Sequence, residues 1–134
     1  MNWKPPTIDN LVEAQRIFIS VGNDSEKIHS AEYIEKNYGY SRKSLEEDAR
    51  KAVKNLKENT TGEYEIIFDL PCSIRCRMYI YPSCEFITRE FPGSEYCIGI
   101  SHMNHFQESE EEVERTFSRI EKKLIEYGFP ARNI

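Results

Sequence analysis

The stretch CSIRCRMYIYPSC, Cys72–Cys84, decides the fold, because it holds three of the four cysteines and can be read as a strand or as a metal loop. As a strand its side chains alternate. Cys72, Ile74, Cys76, Met78 and Ile80 face one way, and Ser73, Arg75, Arg77, Tyr79 and Tyr81 face the other. The cysteines thus share a face with isoleucine and methionine, where a thiol packs as a small hydrophobe. Geometry argues against a metal. A strand rises ~3.3 Å per residue, so Cys72 and Cys76 would stand roughly 13 Å apart. Two sulfurs on one zinc need bonds of only about 2.3 Å each. CSIRC also carries no glycine to make a zinc-knuckle turn. The weaker metal alternative is Cys97 with His102 and His105, a loose H-x-x-H whose spacing matches no zinc signature. No cofactor is expected.

Working outward from this strand, the hydrophobic period is two from Tyr64 to about Ser101. Four strands are predicted: YEIIFDL (64–70), SIRCRMYIY (73–81), EFITREF (85–91) and EYCIGIS (95–101). Pro71, Pro82 and Pro92-Gly93 mark the turns. Connections this short permit only antiparallel neighbours, so the expected sheet is a four-stranded antiparallel meander.

Three helices are expected before it. Pro5 and Pro6 stiffen an extended arm over residues 1–6, and Thr7 then caps a helix carrying Ile8, Leu11, Val12, Ile17 and Phe18. Asp24 or Ser25 caps a second, SEKIHSAEYIEKNY, which Gly39 ends. In the third, Ser44 and Glu47 form a capping box, and Leu45, Ala49, Ala52, Val53 and Leu56 form the apolar stripe. A C-terminal helix follows, capped by Ser109 with Glu112, with Val113, Phe117, Ile120, Leu124 and Tyr127 facing the sheet. The fold class is α+β, one domain over 1–134: three N-terminal helices, the meander, and a C-terminal helix packed on it.

The chain carries 23 acidic and 18 basic residues, for a formal net charge of −5. That balance disfavours duplex DNA or anionic lipid as the main partner, although a local basic patch is compatible with it. No apolar run approaches the ~20 residues of a membrane span, and the start MNWKPPTIDN has no signal-peptide pattern. A cytoplasmic protein is expected, in which disulfides are disfavoured. No P-loop, dinucleotide fingerprint, nucleophile elbow or H-E-x-x-H occurs.

Candidate binding residues lie on two surfaces. Arg75, Arg77, Tyr79 and Tyr81 line the polar face of the second strand, and Arg89 joins them if the third strand keeps register. Tyrosine and arginine are the residues enriched at protein hot spots. Glu110, Glu111 and Glu112 sit in the acidic run ESEEEVE, which suits steering of a basic partner. The leading expectation is a small non-enzymatic protein-binding module, an inhibitor of the immunity-protein, antitoxin or phage-encoded anti-defence type. Its partner would be another protein with a basic surface, and a tyrosine-bearing sheet face equally suits a homodimer. One alternative is a single-stranded nucleic-acid or nucleotide binder using the Arg/Tyr face. Another is a Cys/His metal domain or thiol enzyme. The arm around Trp3 either docks on a partner or folds back over the core.

Overall fold

Thr7 starts the first helix, α1 (Ile8–Gly22), by holding an extended backbone while its hydroxyl accepts the Asn10 amide at 3.1 Å. The computed structural model describes residues 2–58, 66–69, 76–82, 85–102 and 109–133. Among these residues there are five helices and four strands, an α+β arrangement that is mostly helical. α1 is the central helix. α3 (Arg42–Glu58) packs on one side of it and α5 (Glu110–Glu126) on the other. Leu11, Ala14, Ile17, Phe18, Ile19 and Val21 are consequently buried on several sides of α1 rather than along one stripe.

α2 (Ala31–Tyr38) begins five or six residues later than expected from a cap at Ser25 or Asp24. Its cap is Ser30, whose hydroxyl accepts the Tyr33 amide at 3.1 Å. The Ser25 hydroxyl is committed to a local turn, accepting the Lys27 amide at 3.2 Å. Residue 29 is tied to α1 instead: its amide donates to Ser20 Oγ, and its carbonyl accepts Arg16 Nε, both at 2.9 Å. These bonds give the 25–30 backbone a partner outside a helix. Gly39, at φ +69°, ends α2 in the left-handed conformation. α3 also starts earlier than its expected box. The Ser41 hydroxyl accepts the Ser44 amide at 3.1 Å, so Ser41 is the cap and Ser44 lies inside the helix.

The expected antiparallel meander is replaced by a mixed sheet. Its order is β1 (Ile66–Asp69), β2 (Cys76–Pro82), β3 (Tyr96–His102) and β4 (Ala131–Asn133). β1–β2 and β2–β3 are antiparallel, and β3–β4 is parallel. The segment expected as a third strand is a short helix, α4 (Glu85–Glu90). Ile87 and Phe91 stand at i,i+4, which a helix turn brings side by side and a strand would hold roughly 13 Å apart, and are buried together against Cys97, while Glu85 and Arg89 pair at 3.1 Å on the outside. The fourth strand comes from the tail after Pro130. The Pro130 carbonyl accepts the Ile98 amide at 2.8 Å, and Ile98, Gly99 and Ile100 face Ala131, Arg132 and Asn133.

α3, α1 and α5 form a layer over one face of the sheet. Met78 and Ile80 on β2, Ile98 and Ile100 on β3, and Phe117, Ile120 and Leu124 on α5 meet there in one core. α4 lies over the other face, at the β3 side. The arm folds back over the body. The Lys4 amide donates to the Gly128 carbonyl and the Tyr96 hydroxyl donates to the Lys4 carbonyl, both at 2.8 Å, and Trp3 meets the Phe91 ring edge-on at 5.3 Å. Lys4 Nζ pairs with Glu13 and sits 5.0 Å from the centre of the Phe129 ring.

Candidate functional site

Alternation along β2 divides its residues as the sequence requires. Met78 and Ile80 are fully buried under the helical layer, whereas Arg77, Tyr79 and Tyr81 are half-buried on the opposite face. The rings of Tyr79 and Tyr81 stack, with centroids 5.9 Å apart and planes 19° from parallel. Tyr79 lies opposite Gly99 in register, and Gly99 in turn lies opposite Arg132 on β4. The glycine leaves no side chain between the tyrosine and the arginine. The Arg132 guanidinium stands 4.5 Å over the Phe86 ring and bonds Glu90 at 2.8 Å. Phe86 remains 54% exposed, the largest exposure among the large apolar side chains described. Tyr81 lies opposite Cys97, which Ile87 of α4 and Phe91 just after it cover. One side of the sheet therefore carries two stacked tyrosines, with a phenylalanine–arginine pair on elements beside them.

The expected binding residues do not all come together. Arg75 lies outside the described residues. Arg89 is on α4, well exposed and paired with Glu85, rather than on a strand beside the tyrosines. Glu110, Glu111 and Glu112 are exposed at the start of α5, where the Ser109 hydroxyl accepts the Glu112 amide at 3.3 Å. α5 belongs to the layer on the other side of the sheet, so the acidic patch and the tyrosines occupy different sides of the molecule. Phe86 and Arg132 belong to the surface but were not expected there. Phe86 was read as a strand residue, and the three-residue β4 has no local signature.

The metal alternative, Cys97 with His102 and His105, falls only partly within the described residues. Cys97 is fully buried, and its thiol donates to the Ile98 carbonyl at 3.6 Å. His102 is five residues further along β3, roughly 16 Å away at strand rise, and His105 lies outside the described residues. Among the described residues no three His, Cys, Asp or Glu side chains converge on a cation position.

Two other features are visible only in three dimensions. His29 stacks on Tyr33 at 3.9 Å, with Tyr38 6.4 Å from the imidazole. Burial, and then the Lys27 charge, hold that imidazole below its ordinary pKa. An open cleft of 420 Å³ separates the end of α1 from α5, with Val21, Ser25, Arg119 and Lys122 among its lining residues. Its charges are largely paired within the protein, Arg119 with Asp24 at 2.9 Å and Lys123 with Glu126 at 3.2 Å. Burial also pushes the Tyr96 phenol well above the usual tyrosine range, in keeping with its donor role to Lys4.

No protein-family model, no curated protein and no solved structure matches this chain. Among the described residues no helix is long and apolar enough to cross a membrane.

Proposed function

We propose that this chain is a protein-binding module that docks a partner on the sheet face bearing Tyr79 and Tyr81, and that it acts as an inhibitor by covering the partner's working surface. The observation that supports this is the stacked tyrosine pair on the face opposite the helical layer, with exposed Phe86 and half-buried Arg132 beside it. Aromatic rings with a polar tip supply large contact area at little entropic cost, and arginine adds directional donors. Rings already held against each other lose less freedom on binding. The acidic start of α5 lies on the other side of the molecule. It contributes long-range steering of a basic partner rather than direct contact.

The test is capture of a partner from host lysate, followed by kinetics with purified components. Tyr79→Ala and Tyr81→Ala are expected to raise the dissociation rate at least tenfold, about 1.4 kcal/mol each or more. Reversing Glu110, Glu111 and Glu112 to lysine is expected to slow association and leave dissociation unchanged. Unchanged dissociation in both tyrosine variants, with folding intact by circular dichroism, would remove the sheet face from the interface.

A further inference from the structure

We infer that the outer face of α3 is a phosphate-contacting ridge for a nucleic-acid backbone, separate from the protein-docking face proposed above. At 3.6 residues per turn, Lys43, Arg50, Lys54 and Lys57 fall within roughly 60° of arc and span about 21 Å of helix. All four are exposed, and Lys51 is exposed on their flank. Leu45, Ala49 and Ala52 fix this orientation, because they are fully buried against the body of the protein.

Acids within α3 offset this charge only in part. Glu46 engages Arg42 at 3.5 Å and Arg50 at 3.8 Å, and Asp48 is held by the Tyr40 hydroxyl. Glu47 stands on the ridge, and Glu58 follows Lys57. Among the described residues Lys51, Lys54 and Lys57 face no carboxylate within ion-pair distance. The helix dipole accounts for Lys57, the one base in the last turn, but not for Lys43, Arg50, Lys51 and Lys54 further back.

The chemistry of the ridge favours phosphates over a protein. Its exposed residues are all charged, with no aromatic or aliphatic anchor among them, and lysine is depleted in protein interfaces. A row of lysine point charges suits a repeating phosphate backbone and reads no sequence. The net charge of −5 keeps the contact weak, and the counterions released at each phosphate contact make it salt-dependent. Because α3 lies in the helical layer and the tyrosines on the other side of the sheet, both surfaces can be occupied together.

The test is fluorescence anisotropy with a labelled random-sequence duplex of about 20 base pairs, titrated at salt concentrations from about 50 to 200 mM. Binding that weakens linearly on a log–log plot is expected. The triple substitution Lys51→Gln, Lys54→Gln, Lys57→Gln keeps helix propensity. It is expected to flatten the slope by roughly 2 to 3, near 0.9 for each lost contact. Glu85→Gln, on α4 away from the ridge, is expected to leave duplex binding unchanged. Absence of binding at the lowest salt would overturn the inference, as would a triple variant that binds like the parent. Loss of binding in Tyr79→Ala alone would move the contact to the sheet face. Polyglutamate competing as well as the duplex would assign the ridge to an acidic protein instead.

Discussion

Gln15 is fully buried where α1 meets α3, and it shows how much one side chain can hold in tension. Its Nε2 donates to the Leu11 carbonyl at 3.1 Å and to the Leu45 carbonyl at 2.9 Å, which ties the two helices, yet among the described residues its Oε1 has no donor. A buried unsatisfied acceptor costs ~1–3 kcal/mol, about as much as two ordinary hydrogen bonds return. Gln15→Met, which keeps the volume and drops the orphan oxygen, is therefore expected to leave stability unchanged or raise it by up to about 1 kcal/mol. Gln15→Ala is expected to cost roughly 2 kcal/mol through the cavity it leaves. Urea midpoints of the two variants check this. His29 makes the second prediction at this scale. Its folded pKa is lowered, so the unfolded chain takes up the proton more readily. Its contribution to stability is complete above the ordinary value of 6.5 and declines as pH falls through the folded pKa. The loss of urea midpoint between about pH 7.5 and pH 5.5 is expected to shrink in His29→Gln.

Helix ends show where an element can be read from its own residues. Thr7, Gly39 and Ser109 terminate helices as expected, because a cap is a bond between near neighbours and its chemistry is written locally. Where two hydroxyls compete, the outcome depends on more distant groups. Ser25 lost to Ser30 because residue 29 is bonded to α1, and Ser44 lost to Ser41 by three residues. The capping assignment is testable: Ser41→Ala is expected to cost ~1 kcal/mol and Ser44→Ala only a few tenths. Residues 85–91 failed for a different reason. Seven residues with Phe, Ile and Phe satisfy period two and period 3.6 almost equally well. The deciding fact is the Trp3–Phe91–Ile87–Cys97 contact, which draws on the distant N-terminal arm and on the following strand β3. Ile87→Ala is expected to cost ~2–4 kcal/mol. It should also speed alkylation of Cys97, read by mass spectrometry of that peptide.

At the scale of the molecule, the core face was legible and the surface arrangement was not. Alternation in β2 and the stripes of α3 and α5 identify what is buried, because burial repeats with the period of the element; the exception is Tyr127, which was expected to face the sheet but follows the end of α5 and is 40% exposed. Which exposed residues share a side depends on topology. The parallel β3–β4 pair joins residues more than thirty apart, and nothing in Ala131–Asn133 announces it. That pairing brings Arg132 to the row of Tyr79 and Gly99, whereas Glu110–Glu112 go to the opposite side with α5. The arm belongs to this scale as well. Tyr96→Phe removes the bond to the Lys4 carbonyl and is expected to cost ~1 kcal/mol, with proteolysis near residue 4 accelerated in step.

That same arm has a consequence for how the protein is made. Lys4 is translated well before the carbonyl its amide needs, which belongs to Gly128. At ~5–20 residues per second, the intervening 124 positions take about 6–25 s to translate. Until Phe91 is made the Trp3 ring has no partner to meet, and until Gly128 is made the arm that carries it has no anchor, so an apolar ring stays open to chaperones and to neighbouring nascent chains. A ribosome stalled before Gly128 would therefore hold a chain whose Trp3-bearing arm is not yet fastened by that bond.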